Sequence, residues 1–111
     1  MIENCNLCGI CLAKDSLYKI TQRETVSARG KILLLKQGVM DKIFYADHLS
    51  GELKSICPNK IDLTEEIIKM REKLVENGIE TAANKMMIEN LQKFGNPFGD
   101  PKQKPKEIFW C

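Results

Sequence analysis

Hydrophobic positions in this chain recur mostly at helical spacing, and strict alternation of apolar and polar residues is rare. The clearest helix is predicted to begin at Asp62, with Glu65 at capping-box spacing, and to end at Gly78. Its apolar face consists of Leu63, Ile67, Met70, Leu74 and Val75. A second such helix is predicted over residues 80–94 and ends at Gly95. Its apolar stripe consists of Ala83, Met86, Met87, Leu91 and Phe94.

The first half of the chain also favours helices. Ser27 is a plausible N-cap for a short buried helix that carries the apolar run 32–35 and ends at Gly38. A further helix is predicted over residues 41–53, and its inward positions are Ile43, Phe44, Leu49 and Leu53. Residues 16–26 fit either a loop or an irregular helix. The pattern therefore predicts a small all-α fold.

The pattern changes after Gly95. Residues 96–101 are turn residues, and the polar stretch that follows leads to Phe109 and Trp110 near the end of the chain. We therefore predict one helical domain over residues 1–95 and an irregular tail rich in proline and lysine over residues 96–111. The two aromatic residues are candidate anchors for a partner's pocket, and folding back onto the domain is the alternative.

Composition narrows the class of protein. The chain has 111 residues and a net charge of only +2, so nothing calls for a nucleic acid or an acidic membrane surface as partner. We see no apolar run of transmembrane length and no N-terminal targeting segment, and we expect no direct membrane insertion. The expected location is the cytoplasm, where thiols stay reduced and available for metal, with membrane association only through a partner.

Three cysteines near the N-terminus carry the strongest chemical signal. Cys5, Cys8 and Cys11 form the run Cys-x2-Cys-x2-Cys, which opens the bacterial ferredoxin pattern Cys-x2-Cys-x2-Cys-x3-Cys-Pro. In that pattern the first three cysteines hold one iron–sulfur cluster, and the fourth ligates a different cluster. Here Asp15 stands at the fourth position, whereas Cys57, which is followed by proline, supplies a Cys-Pro pair much later in the chain.

The two cysteine segments fit together as an altered pair of motifs. A second motif that ended at Cys57 would have its first three positions at Asp47, Ser50 and Leu53. A second cluster would use those three positions and Asp15, none of which is a cysteine. The ligands of the first cluster would be Cys5, Cys8, Cys11 and Cys57. We therefore predict a single 4Fe–4S cluster on a two-cluster framework.

Other interpretations of these cysteines stay open. A four-cysteine zinc site is the first, although structural zinc sites usually pair two short knuckles rather than a triplet and a lone cysteine. Disulfides and a relic loop that binds nothing are the others, and five cysteines are an odd number for disulfides. Cys111 is expected to be a free thiol, and the lone His48 to be structural or exposed. Asp15 is expected to face solvent or to cap a helix.

Four segments, in this order along the chain, carry a resemblance to a known family. They are Cys5-x2-Cys8-Gly9-x-Cys11, Ser27-x-Arg29-Gly30-Lys31, Cys57-Pro58 with Ile61-Asp62, and Gly95-Asn96-Pro97-Phe98-Gly99 with the closing Trp110. The chain resembles the N-terminal iron–sulfur domain of the glycolate oxidase, lactate utilisation and heterodisulfide reductase iron–sulfur subunits. The resemblance covers nearly the whole chain, and the cysteine spacing and the Gly-Asn-Pro-Phe-Gly segment are its most specific parts.

The resemblance implies an α-helical ferredoxin fold, in which the cysteine motifs lie at the ends of packed helices. It implies redox partner subunits, one of them cysteine-rich or flavin-containing. It also makes Arg29 and Lys31 candidates for the cluster side or for an interface, because the position of Arg29 is basic in the family. Family domains usually carry two 4Fe–4S clusters, whereas this chain keeps ligands for one. Longer members continue into a cysteine-rich domain, so a catalytic part is expected on a separate polypeptide.

Two classes of function follow from these observations. The first is an electron-transfer subunit of an oxidoreductase, either heterodisulfide reductase-like or 2-hydroxy-acid oxidase-like, that is not catalytic alone. The second is a non-redox assembly module, in which a cluster or zinc only holds the fold and the chain docks a partner. The sequence shows no nucleophile–base constellation, no phosphate loop and no nucleotide fingerprint.

Overall fold

The computed structural model describes residues 2–103, and within that range the chain forms helices and no strand. The α-helices are α1 (Ser16–Thr21), α2 (Ala28–Lys36), α3 (Glu52–Ile56), α4 (Leu63–Glu76) and α5 (Ala82–Phe94). Short 3₁₀ helices cover Ile2–Asn4, Ile10–Lys14, Glu24–Val26 and Lys42–Tyr45. The predicted all-α fold is confirmed. None of these helices is both long and apolar enough to cross a bilayer. The predicted anchors Phe109 and Trp110, and also Cys111, lie outside the described residues.

The chain divides into two compact units, one that ends at Gly78 and one that begins at Ile79. The boundary that the sequence predicts, after residue 95, falls inside the second unit. All four cysteines of the predicted site belong to the first unit.

The core of the first unit is formed mainly by α2 and α4. Its buried apolar residues are Ala28, Ile32, Phe44, Ile61, Leu63, Ile67, Met70 and Leu74. Four of the five residues predicted on the apolar face of α4 are among them, whereas the fifth, Val75, is 53% exposed. Val75 follows Leu74 directly, so it lies about 100° further round the helix and off the buried stripe.

A close contact fixes the start of α2. The Ser27 hydroxyl accepts the N–H of Gly30 at 3.0 Å, as expected of an N-cap, and donates to the carbonyl oxygen of Glu24 at 2.6 Å. A Cβ atom at Gly30 would overlap that same carbonyl oxygen. The 3₁₀ helix Glu24–Val26 can therefore lie against α2 only because residue 30 has no side chain.

The single helix predicted over residues 41–53 is wrong. The segment forms the 3₁₀ helix Lys42–Tyr45, an irregular stretch and then α3. Leu49 and Gly51 have φ values of 53° and 72°, which a right-handed helix cannot continue through. The preceding carbonyl groups are bonded elsewhere, because Arg71 donates to the carbonyls of residues 44, 45 and 47, and Lys31 donates to that of residue 46.

The second unit contains α5 and the turn that follows it. Thr81 caps the helix by accepting the N–H of Asn84 at 3.3 Å. After Gly95 the chain turns back, and the Asn90 side chain donates to the carbonyl of Pro97 at 3.0 Å. None of the residues of α5 is buried, so the predicted apolar stripe does not form a core here. Its exposed members are Met86, Leu91 and Phe94.

Candidate metal centre

All four cysteines predicted as ligands line one cavity of the first unit. Cys57 lies 46 positions after Cys11, yet it faces the same space as Cys5, Cys8 and Cys11. The cavity has an empty volume of about 480 Å³, including the part open to solvent. Its apolar wall includes Ala28, Ile32, Leu53, Ile61 and Leu63.

The cysteine loop wraps around this cavity because of its backbone conformation. Leu7 and Gly9 have φ values of 58° and 82°, so the chain bends sharply on both sides of Cys8. The N–H of Leu7 points at the sulfur of Cys5, with 3.4 Å between the two atoms. The Asn6 side chain accepts the N–H of Cys8 at 3.2 Å. The loop thus directs a backbone donor at a sulfur atom, a contact that tunes metal–thiolate sites.

Two long-range hydrogen bonds hold the loop in place. Lys36, at the end of α2, donates to the carbonyl of Cys5 at 2.7 Å. The Asn59 side chain, two residues after Cys57, donates to the carbonyl of Asn4 at 2.6 Å. These bonds tie the N-terminal loop to α2 and to the Cys57 segment. The sequence analysis missed both residues, because a helix-terminal lysine and an asparagine after Cys-Pro carry no signal of their own.

Arg29 lies beside the cysteine loop. Its guanidinium stands 2.8 Å from the place that a Cβ atom of Gly9 would occupy, and its side chain lines the cavity. Its Nε donates to the Glu24 carboxylate at 2.5 Å. This hydrogen bond raises the pKa of Arg29, and the nearby Cys11 contributes in the same direction. A permanent positive charge therefore stands at the rim of the cysteine cavity.

The four thiols differ in exposure. Cys8 is exposed, whereas Cys5, Cys11 and Cys57 are partly buried, and all four are free of disulfides. Burial raises the pKa of the Cys11 thiol, and the neighbouring Cys5 adds to the effect. Metal binding to these thiols would release their protons.

The donor set of this cavity consists of four thiols. Within residues 2–103, no three His, Cys, Asp or Glu side chains stand close enough to share a single metal ion. A zinc ion needs its ligands to converge on one point, whereas each thiolate of a 4Fe–4S cluster binds a different iron. Four free thiols line one cavity, which is the number and type of ligand that a 4Fe–4S cluster would use.

A second cavity lies next to the first. It is lined by the four positions that the motif spacing assigns to a second cluster, none of which is a cysteine. Asp15, Asp47, Ser50 and Leu53 all line it. Its empty volume is about 350 Å³, and Leu53 and Leu63 form part of the walls of both cavities. The four positions that the motif spacing assigns to a second cluster therefore meet in space, as the four cysteines do.

The acidic groups of the second cavity are already bonded within the chain. Asp15 is only 5% exposed and accepts the N–H groups of Tyr18 at 3.1 Å and Ala28 at 2.5 Å. Of the two roles predicted for Asp15, it takes that of a helix cap, at the start of α1, and it does not face solvent. Asp47 pairs with the ammonium of Lys31 at 2.7 Å, and Lys31 is 1% exposed. Lys31 is therefore part of a buried ion pair and is not among the residues that line the cysteine cavity.

His48 is not among the residues that line the cysteine cavity. It is exposed, lines the second cavity and shares a hydrogen bond of 3.2 Å with the hydroxyl of Ser16. This position agrees with the expected structural or exposed histidine.

Comparison of the chain with protein-family models, with curated proteins and with solved structures gave no match.

Proposed function

We propose that this protein is an electron-transfer iron–sulfur subunit that holds one 4Fe–4S cluster through Cys5, Cys8, Cys11 and Cys57. The observation that carries the proposal is the shared cavity, to which both cysteine segments contribute. Such a cluster, when bound, accepts and passes on single electrons. The protein supplies the ligands, the exposure of the site and the charges around it.

The residues of the second cavity are evidence that the protein holds one cluster and not two. None of Asp15, Asp47, Ser50 and Leu53 offers a thiolate, and both carboxylates are used in hydrogen bonds or ion pairs of the chain. The place of a second centre is thus built from groups that stabilise the fold.

Neighbouring residues set the environment of the thiolates. Arg29 brings a positive charge to the rim of the cavity, and the N–H of Leu7 points at the Cys5 sulfur. A hydrogen bond to a ligating sulfur favours the more negative, reduced form of a cluster, so the Leu7 contact would raise its potential, whereas the Glu24 carboxylate offsets much of the Arg29 charge. The apolar wall formed by Ala28, Ile32 and Ile61 limits the access of water.

The proposed setting is a larger redox complex in the cytoplasm, in contact with a membrane only through a partner. By the resemblance described above, the partner subunits are cysteine-rich or flavin-containing, and the complex is heterodisulfide reductase-like or 2-hydroxy-acid oxidase-like. The chain itself acts as a non-catalytic subunit.

The test is a pair of cysteine variants purified without oxygen. Cys57→Ala should lose the 4Fe–4S signal in EPR or leave a three-iron species, because its fourth ligand is gone. Cys111→Ala, which changes a cysteine with no predicted ligand role, should keep the cluster. An unchanged cluster in Cys57→Ala would overturn the assignment. Zinc without sulfide in the unmodified protein would instead favour the assembly module.

A further inference from the structure

One hydrogen bond from a distant residue holds the direction in which the chain leaves Cys5. Lys36, the last residue of α2, donates through Nζ to the carbonyl of Cys5 at 2.7 Å. Within residues 2–103, the loop over residues 5–11 makes no other hydrogen bond to a distant residue. The second bond that holds the loop, from Asn59, ends one residue earlier at the carbonyl of Asn4. The course of the loop after Cys5 therefore depends on Lys36.

The peptide group between Cys5 and Asn6 links this bond to the Cys5 sulfur. The group is planar and trans, so fixing its carbonyl oxygen also fixes the path toward Leu7. Leu7 has a left-handed φ of 58°, and its N–H points at the Cys5 sulfur, with 3.4 Å between nitrogen and sulfur. A rotation of the Cys5–Asn6 peptide would carry this N–H away from the sulfur.

Helix α2 also forms part of the cavity wall. Ala28, Arg29 and Ile32 line the cavity, and Ala28 and Ile32 are buried. The group that holds the Cys5 carbonyl and one wall of the cavity thus belong to the same helix. A lysine at the end of a helix is favoured by the helix dipole alone, but that interaction does not require a bond to a carbonyl 31 residues away.

We propose that Lys36 is a positioning residue that raises the reduction potential of the cluster, because it holds the Cys5–Asn6 peptide so that the N–H of Leu7 stays on the Cys5 sulfur. This inference rests on the proposed function. A hydrogen bond to a ligating sulfur favours the reduced form. In the reduction one electron is added, and no bond is made or broken.

The first test is a redox titration, followed by EPR, of full-length variants loaded with iron and sulfide. Lys36→Met should lower the equilibrium constant for one-electron reduction at least about threefold, because the Leu7 contact weakens. Lys36→Arg, which keeps the charge and the donor, should restore the value. Lys60→Met is the matched control, since Lys60 is exposed, follows Asn59 of the cavity and donates to the carbonyl of Ser55 at 3.3 Å.

Lys60→Met removes the same charge without touching the cysteine loop, so it should change the equilibrium constant less than about 1.5-fold at ordinary ionic strength. Iron and sulfide contents are measured first for every variant. If Lys36→Met takes up less iron, Lys36→Gln, which is also neutral, takes its place.

The second test removes the Leu7 N–H itself. A full-length chain is assembled by ligation at Cys11, with residue 7 introduced as the α-hydroxy analogue of leucine, so that an ester oxygen replaces the N–H. This change should lower the equilibrium constant by a factor similar to that of Lys36→Met. Adding Lys36→Met to the ester chain should lower it less than about 1.5-fold further, because both changes remove one contact.

The outcomes separate the positioning role from the proposed function. An unchanged potential in Lys36→Met, an equal change in Lys60→Met, or full additivity of Lys36→Met with the ester would overturn the positioning role while the cluster stands. Absence of iron and sulfide from the unmodified protein would overturn the proposed function itself.

Discussion

The carboxylate of Asp15 accepts the backbone N–H of Ala28 at 2.5 Å, and its other oxygen accepts the N–H of Tyr18 at 3.1 Å. One buried side chain thus bonds the first turn of α1 and the first residue of α2. Asp15 occupies the position where the ferredoxin pattern has its fourth cysteine. Its two contacts show what this chain has built there: a helix cap that joins two elements of the first unit.

Asp15→Ala should therefore destabilise the fold and leave the proposed cluster unchanged. It leaves the buried N–H of Ala28 unpaired and removes the α1 cap, so the free energy of unfolding should fall by about 2 kcal/mol. Denaturant unfolding measures this change, and EPR of the reduced protein should keep the cluster signal. Asp15→Asn, which retains one acceptor, should lose less stability. An altered cluster signal in Asp15→Ala would make Asp15 a ligand.

The Lys31–Asp47 pair gives a second prediction. Lys31→Met should lower the free energy of unfolding by about 3 kcal/mol, because it leaves the Asp47 carboxylate, 13% exposed, without its partner. Lys69→Met is the control, since Lys69 is 51% exposed and its ion pair with Glu65 should contribute nothing measurable. Equal effects of the two substitutions on denaturant midpoints would show that the buried pair has no special role.

Gly30 should tolerate no side chain. In Gly30→Ala the new Cβ would overlap the carbonyl of Glu24, so the 3₁₀ helix Glu24–Val26 must move away from α2, at a cost of about 2 kcal/mol or more. Gly38→Ala is the comparison, because Gly38 has open space around it and only a left-handed φ of 69° to penalise alanine, by about 1 kcal/mol. Thermal unfolding of both variants shows which substitution lowers stability more. A smaller loss of stability in Gly30→Ala than in Gly38→Ala would contradict the close contact between Gly30 and Glu24.

Asp62 predicts how stability depends on pH. The hydrogen bond from Lys54, together with the N–H of Glu65, holds the pKa of the Asp62 carboxyl below its ordinary value. A carboxyl with a lowered pKa in the folded state stabilises the protein above its unfolded pKa of about 3.9, and this contribution is lost as pH falls through the folded value. In Asp62→Asn, the free energy of unfolding should therefore fall less steeply as pH decreases below about 4. Unfolding measured across this range gives the slope, and an unchanged slope would exclude Asp62 as a source.

Local signals in the sequence predict much of the fold. The apolar spacing of α4 and the caps Ser27 and Asp62 are properties of neighbouring residues, and they reappear in the structure. The break within residues 41–53 could not be predicted in this way. It depends on Lys31 and Arg71, which lie on other helices and bond the carbonyls of residues 44–47.

The candidate site shows the same division. Motif spacing groups the four cysteines and also the four positions that lack cysteine, and each set lines its own cavity. The contacts that hold the cysteine loop, from Lys36 to Cys5 and from Asn59 to Asn4, span 31 and 55 residues and follow no local pattern. The ion pair between Lys31 and Asp47 also joins residues that are distant in the sequence. Local pattern therefore could not separate Lys31, which is buried in this pair, from Arg29, which lines the cysteine cavity.

The most direct test of the central claim is iron and sulfide analysis of the protein purified without oxygen, with EPR after reduction by dithionite. The account predicts about four irons and four sulfides per chain and one reduced 4Fe–4S signal. About eight irons would mean that other groups hold a second cluster and that the second cavity is misinterpreted. Zinc without sulfide would contradict the electron-transfer function.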